Sequence, residues 1–293
     1  MRVAAIDIGT VTSRLFIADV SESGVMPLCR KSVITNLGEG VDASGRLSDD
    51  AIARTVDQVA RYKETIDEYA PIDSLGALAT SASRDAENSD VFVDRLRDIG
   101  VELSVIPGSR EAELSFLGAS NDFRGEDILF ADIGGGSTEL AFGRAYGPAE
   151  SVVPKIELRA SRSFDIGCRR MTERFLKSDP PSECELAQAR AWALETLAPF
   201  FEGESIHFDR LVAVAGTPKT VVAREEFDDV ARRLCALPLE KRKKVAGIQP
   251  KRAGVFPAGV VILDAVMSLA KVDGFTASES DILIGIVLDA LRS

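Results

Sequence analysis

Apolar and polar positions alternate along this chain in two rhythms. The run VAAIDIGT at 3–10 is apolar until it meets Asp7 and Gly9, and SRLFIADV at 13–20 resumes with alternation, which predicts two strands joined by a tight turn. The segment ILFADIGGGSTELAFG at 128–143 repeats the pattern. Asp7-Ile8-Gly9 matches Asp132-Ile133-Gly134, and Leu15 and Leu140 each stand eight residues beyond their aspartate, so one hairpin occurs twice in the chain.

Between the copies the period lengthens. Ser48 precedes DDAIARTVDQVARYKETIDEY, which sets Ile52, Val56, Val59 and Ile66 on one face of a helix and Asp49 and Asp50 in its first turn, where the dipole favours anions. SLGALAT at 74–80 reads as a buried strand, SDVFVDRLRDIG as a helix stopped by Gly100, and VELSVI as a further strand. In the second half, Ser182-Glu183-Cys184-Glu185 is a capping box opening a helix that runs to about Phe201. RLVAVAG at 210–216 is a buried strand, Thr217-Pro218 starts a short helix, and SESDILIGIVLDAL at 278–291 is a terminal helix. Strands alternating with helices in both halves indicate α/β layers, with a boundary in the polar stretch Asn121 to Glu126.

Composition then removes whole classes of function. Forty-six acids against 35 Lys and Arg give 293 residues a net charge of −11, which excludes a dedicated nucleic-acid binder, whose affinity comes largely from neutralising phosphates. No apolar run reaches the ~18 residues of a bilayer span. MRVAAIDIGT lacks the basic start and cleavage site of a signal peptide, so a cytoplasmic protein with no membrane partner is expected. Cys29, Cys168, Cys184 and Cys235 form no C-x-x-C pair, and His207 is the one histidine. Hydrolysis by this chain must therefore run on carboxylates, hydroxyls, backbone amides and a hard cation rather than on a histidine base or a histidine-rich metal cage.

The repeated hairpin supplies those groups. Glycines let backbone N–H groups approach phosphate oxygens, hydroxyls donate further bonds, and Mg²⁺ takes carboxylate oxygens while keeping several waters. DIGT alone is equally compatible with a purely structural hairpin. DIGGGSTE is harder to explain that way, because three consecutive glycines between strands cost conformational entropy and Ser137, Thr138 and Glu139 follow directly. Charge is also uneven: residues 1–122 carry 12 bases and 21 acids, whereas KRKKVAGIQPKR at 241–252 has six bases and no acid, readable either as a polyanion track or as a solvated face.

The segments AAIDIGT, TSASRDAEN, IPGSREAELSFLGA, DIGGGSTEL, SFDIGCRRMTE, VAVAGTPKT and GIQPKRAGVFPAGVVIL span nearly the whole chain. In that order they resemble the exopolyphosphatase and guanosine pentaphosphate phosphohydrolase (Ppx/GppA) family, within the actin, Hsp70 and sugar-kinase superfamily. DIGGGSTEL and the preceding G-x-x-E-A are the specific motifs, and the length resembles the family's short two-domain members. The resemblance implies an α/β fold of two actin-like (ribonuclease H-like) domains with an active-site cleft between them. Residues 1–122 would form the first, 123–277 the second, and 278–293 a helix packing back on the first.

Residue by residue, the resemblance makes Glu111 the general base, whereas spacing alone would read it as a helix-start glutamate held by the dipole. It makes Asp132, Glu139 and Asp7 the acids around Mg²⁺, with Mn²⁺ as the alternative ion. Four acids, Asp7, Glu111, Asp132 and Glu139, would repel one another and a phosphate chain unless a cation sat among them. Phosphate contacts fall on Gly9, Thr10, Thr12, Gly134, Gly135, Gly136 and Ser137 of the two loops, on Arg84, and on Arg170, Gly216, Thr217 and Arg252 of the second half. Arg84 could instead pair with Asp85 or Glu87, and Arg170 and Arg252 could be solvated helix charges. Val11 stands where the family commonly has a polar residue, which removes one donor, and Gly254 where an acid is usual.

The implied activity is release of the terminal phosphate of inorganic polyphosphate, with short chains preferred. The alternatives are hydrolysis of guanosine pentaphosphate, a kinase of the same superfamily, and a silent alarmone- or polyphosphate-binding regulator. The implied partners are polyphosphate and, for the alternatives, (p)ppGpp; a homodimer is left open.

Overall fold

Every residue of β1 (Arg2–Ile8) after Arg2 is buried, as expected of a strand covered by helices on both faces. β1 pairs antiparallel with β2 (Thr12–Ser21), which pairs with β3 (Gly24–Ile34). A computed structural model describes residues 1–22, 24–148, 151–202, 206–214 and 220–292. The first half continues through α1 (Val41–Ser44), α2 (Asp49–Glu68), β4 (Ser74–Ala79), α3 (Ser81–Asp85), α4 (Ser89–Asp98), β5 (Ser104–Val105) and α5 (Gly108–Ser120). Its sheet has the order β3-β2-β1-β4-β5.

The second half contains β6 (Asp127–Ile133), β7 (Thr138–Tyr146), β8 (Lys155–Phe164), α6 (Cys168–Phe175), α7 (Glu183–Leu197), β9 (Arg210–Val214) and β10 (Thr220–Ala223). It ends with α8 (Arg224–Cys235), α9 (Leu239–Arg242), α10 (Phe256–Ala270), β11 (Gly274–Ser278) and α11 (Ile282–Asp289), and its sheet has the order β10-β11-β9-β6-β7-β8. The two halves thus share a strand plan, an antiparallel meander followed by parallel strands, to which the second sheet adds β10 antiparallel at its edge.

Among the described residues four apolar clusters hold this together. Ile52, Val59, Tyr62 and Ile66 of α2 and Phe92 and Leu96 of α4 cover one face of the first sheet. Met171 of α6, Ala193 and Leu197 of α7 and Ile262 and Val266 of α10 cover one face of the second. Between the sheets lie α5 and α11. Leu114 of α5 joins Ile282, Leu283 and Ile286 of α11 against Val3, Ala5 and Phe16 of the first sheet. Phe116 and Ala119 face Ile128, Phe130 and Ala141 of the second, with the Phe116 and Phe130 rings edge to face at 6.4 Å. The helix that carries Glu111 is therefore clamped by both halves, although the sequence boundary assigns it to residues 1–122.

The structure departs from the sequence reading in specific places. Each hairpin is a three-stranded meander, and the sequence pattern does not predict the third strands, β3 and β8. Both are edge strands: β3 carries Pro27 beside a bulge at Ile17/Ala18, which an edge tolerates, and β8 leaves much of its length exposed. VELSVI pairs only through Ser104 and Val105. The capping box at Ser182 and Glu185 is present. The helix expected from Thr217-Pro218 falls outside the described residues, and the chain is already strand at Thr220. The 241–252 segment is not an unbroken basic stripe, because Arg242 is buried and donates to the carbonyls of Leu234, Leu237 and Ala253 at 3.2, 2.6 and 2.8 Å.

Candidate active site

The two copies of the hairpin close by the same turn. Gly9 N–H donates to the Thr12 carbonyl at 3.0 Å, and Gly134 N–H to the Ser137 carbonyl at 2.9 Å. In both loops the carbonyls are tied back by the chain that follows the meander. The Thr10 carbonyl accepts from Gly38 N–H (2.9 Å), and that of Val11 from Thr35 (3.1 Å) and Asn36 (2.9 Å). The Gly134 carbonyl accepts from Cys168 N–H (2.9 Å) and the Gly135 carbonyl from Arg169 N–H (2.8 Å), both at the start of α6, while the Gly136 carbonyl accepts from Arg170 Nε (2.9 Å). A peptide unit carries its C=O and N–H on opposite edges, so tethered carbonyls turn the amides of Gly135, Gly136 and Ser137 the other way. Among the described residues those three amides meet no backbone carbonyl.

The loops also touch each other, which explains the triple glycine. A Cβ on Gly135 would lie 2.6 Å from Val11 Cγ2, and one on Gly136 would lie 2.6 Å from Thr10 Oγ1. Beneath them is a cavity of about 60 Å³ lined by Asp7, Gly9, Thr10, Arg14, Glu111, Ser115, Asp132, Gly134 to Ser137 and Glu139. Sequence positions drawn from both halves therefore converge on one small polar chamber.

Burial governs the charges there. It pushes the Glu111 carboxyl up to about 7, against the Arg84 guanidinium 3.1 Å away. Asp132 is raised to about 6, also by burial, with Arg14 opposing. Glu139 is raised well above the ordinary range by burial and by the charges of Glu111 and Asp132, although Ser163 Oγ donates to it at 2.7 Å. Asp7 is raised by burial, with Arg14 again opposing.

Arg14, absent from the sequence-derived site, pairs with Asp7 at 2.6 Å and with Asp281 at 2.5 Å. Burial favours its neutral form, but Asp281, Asp7 and Asp132 outweigh this and raise its pKa. The repeat contains the signal that finds it. β1 and β2 set Asp7 opposite Arg14, as β6 and β7 set Asp132 opposite Glu139, so the two hairpins present an Asp–Arg and an Asp–Glu pair to one cavity.

The structure gives several of these residues partners of their own. Asp7 accepts from Arg14 through Oδ2, and Arg14 is itself a fixed cation among the acids, so a metal is not the only means of holding them together. Arg84 pairs with neither Asp85 nor Glu87; it holds Glu111 and donates to the Ile106 carbonyl at 3.2 Å. Arg170 reaches Asp42, Asp85 and the Gly136 carbonyl instead of an open phosphate position. Thr12 does not line the cavity; its carbonyl closes the first turn. Arg252 lies outside the cavity lining and forms no ion pair among the described residues, although its charge lowers the Asp132 pKa. Gly216 and Thr217 are outside the described residues.

The donor set fits a hard divalent ion. Among the described residues Asp132 meets no donor closer than Ser115 Oγ at 3.5 Å, a contact too long to satisfy a half-buried carboxylate. Among the described residues no three His, Cys, Asp or Glu side chains form a complete cage. Mg²⁺ needs none, since it is usually held by one or two carboxylates, waters and substrate oxygens.

A family model described as the Ppx/GppA phosphatase family matches residues 16–293. Exopolyphosphatase 2 of Mycobacterium tuberculosis is 36% identical over an alignment that covers 98% of each chain. A guanosine-5'-triphosphate,3'-diphosphate pyrophosphatase of Vibrio vulnificus is 26% identical, covering 98% of this chain and 59% of its own length. Among solved structures, an exopolyphosphatase-like protein superposes with a TM-score of 0.88 at 32% identity, covering 100% of this chain and 99% of that one. The Aquifex aeolicus Ppx/GppA family member superposes with a TM-score of 0.80 at 26% identity, covering 100% of this chain and 98% of its own.

Proposed function

Because the chain belongs to the Ppx/GppA phosphatase family, we propose that it is an exopolyphosphatase, releasing the terminal phosphate of inorganic polyphosphate by attack of water. The observation that carries this reading is Glu111: a buried carboxyl raised to about 7, aimed into a cavity whose roof is a set of backbone amides. A base with a pKa near the working pH accepts a proton efficiently, and amides fixed before substrate arrives stabilise charge on the transferring phosphoryl group without reorganising.

In this mechanism the amides of Gly135, Gly136 and Ser137 and the Thr10 hydroxyl bind the terminal phosphate. Glu111, steadied by Arg84, orients the water and takes its proton. Arg14 opposes the phosphate charge while holding Asp7 in place. Asp132 and Glu139 are the residues that would hold Mg²⁺, or Mn²⁺ in its stead, which when bound supplies neutralisation of the phosphate oxygens.

Short chains are the proposed preference, because the cavity admits little beyond a terminal group and the 241–252 segment, interrupted by buried Arg242, offers a broken track at best. A second reading, hydrolysis of guanosine pentaphosphate, rests on the likeness to the Vibrio enzyme. One assay separates these: phosphate release from polyphosphates of defined length, guanosine pentaphosphate and ATP, with and without Mg²⁺. The proposal expects release from short polyphosphate to exceed the others and to require the ion. Release from guanosine pentaphosphate alone would replace it with the second reading.

A further inference from the structure

Cleft closure and loop orientation meet in one side chain. The Arg170 guanidinium donates from Nε to the Gly136 carbonyl at 2.9 Å, from Nη1 to Asp42 at 2.6 Å, and from Nη2 to Asp85. Gly136 belongs to the loop of the second half, whereas Asp42 on α1 and Asp85 on α3 belong to the first. All three nitrogens of the planar fork donate, and the side chain is only 13% exposed.

The Gly136 anchor differs in kind from its neighbours. Gly134 and Gly135 are held by backbone N–H groups of α6, which persist as long as the helix does. The Gly136 carbonyl is held by a side chain, which can let go while the helix stays intact. With no Cβ, the Gly136–Ser137 peptide has little intrinsic preference, so its anchor decides where the Ser137 N–H points. Arg169 forms a parallel link: its N–H holds the Gly135 carbonyl while its Nη2 donates to Asn36 Oδ1, and Asn36 N–H holds the Val11 carbonyl of the first loop.

We propose that Arg170 is a positioning residue that makes the inward orientation of the Ser137 amide conditional on closure of the first half, through Asp42 and Asp85, over the second. The proposal rests on the reading above in one respect, that the loop amides receive a phosphate oxygen. With the halves apart, the two Nη groups lose their carboxylates, the fork is free to turn, and the Gly136–Ser137 peptide loses its anchor. With the halves together, the fork is pinned at three points. Lysine cannot reproduce this, because an ammonium lacks a planar fork that reaches three acceptors at once.

The test uses the full chain labelled with ¹⁵N, titrated with inorganic pyrophosphate while the amide resonances of Gly135, Gly136 and Ser137 are followed. Wild type, Arg170→Lys, Asp42→Asn and the double variant are compared, with tripolyphosphate turnover measured in parallel. In wild type the three amides move on addition of pyrophosphate; in Arg170→Lys the Ser137 response is lost. Turnover in that variant falls in kcat by about 10²-fold while KM changes by less than about threefold, as expected of a misplaced transition-state contact. Asp42→Asn moves the Ser137 resonance even though Asp42 is in the other half; because Asp42 also holds Arg174 at 2.6 Å, Arg174→Gln is the control that leaves the Ser137 resonance in place, and the Ser137 response of the double variant is no worse than that of Arg170→Lys alone.

An Arg170→Lys protein with the wild-type Ser137 response and kcat within about threefold overturns the proposal, as does additivity in the double variant. Wild-type amides that ignore pyrophosphate would overturn it together with the phosphate reading, whereas wild type and Arg170→Lys responding alike would overturn it alone. If Arg170→Lys does not fold, Asp42→Asn decides, an unmoved Ser137 resonance being the contrary result.

Discussion

Arg14 holds the position in the first hairpin that Glu139 holds in the second, and this one exchange of sign makes a chamber of buried acids tolerable. Its partners Asp7 and Asp281 are both nearly inaccessible. Arg30 also holds Asp281 at 3.0 Å, so removing Arg14 leaves Asp7 as the charge unpaired in a poor solvent, and Arg14→Met should lower unfolding stability by about 3–5 kcal/mol. Urea denaturation checks this, and adding Asp7→Asn to Arg14→Met should recover part of the loss; a midpoint unchanged from wild type would mean that the pair is worth nothing. Glu111, Asp132 and Glu139 were legible because they sit in specific motifs. Arg14 is not, because the alternation of SRLFIADV marks it only as a polar strand position, and its place opposite Asp7 emerges once the two strands are set in register. The roles of Arg84 and Arg170 were illegible for a different reason: their acceptors, Glu111 and the pair Asp42 and Asp85, are distant in sequence, and only the packed fold reveals that their charge is already spent.

At the scale of elements, α5 and α11 cross where neither helix has a side chain. A Cβ on Gly118 would be 2.9 Å from Gly285 N, and one on Gly285 would fall against the Leu114 carbonyl. The crossing sets where α5 lies, and with it Glu111 in its first turn. Gly285→Ala should force the helices apart at a cost of about 1–3 kcal/mol, the usual range for overpacking. Because the displaced helix carries Glu111, the proposed base, kcat should fall more than the stability loss alone would produce. Thermal unfolding and tripolyphosphate turnover of the same sample check this; a stable variant with full kcat would detach the crossing from catalysis. The helices themselves were read well from their periodicity and caps, as with Ser48 and the box at Ser182. The glycine crossing was hidden, since GIVLDAL looks like any apolar helix until its partner is known, and β3 and β8 were hidden because edge strands need neither a buried face nor freedom from proline.

Across the whole molecule, the fold spends stability to bury acids where both halves meet. In the folded state Glu111 rises to about 7 from an ordinary 4.5, and Asp132 to about 6 from 3.8. Between those values the folded protein holds protons that the unfolded chain has released, so stability without divalent ions is full below the ordinary values and is lost as pH rises through about 6 to 7. Carboxylates that are instead lowered, such as Asp42 and Glu185, are ionised in both states over this window and leave its slope unchanged. In EDTA the urea midpoint should therefore fall between pH 5 and pH 8, Mg²⁺ should raise it more at pH 8 than at pH 5, and Asp132→Asn should flatten the fall. A midpoint that rises with pH in EDTA would contradict this.

The two-half architecture was legible from one repeated hairpin, but the closed chamber was not, because it depends on loops meeting across the cleft. That chamber is the centre of the account, and Glu111 tests it most directly. Tripolyphosphate turnover and binding should be measured on Glu111→Gln, whose amide keeps the shape but cannot take the proton. Turnover should fall by about 10² to 10⁴-fold while binding stays within about threefold of wild type. Turnover within about threefold of wild type would contradict the assignment of Glu111 as the base, and with it the reading of this cavity as the place where water attacks the phosphate.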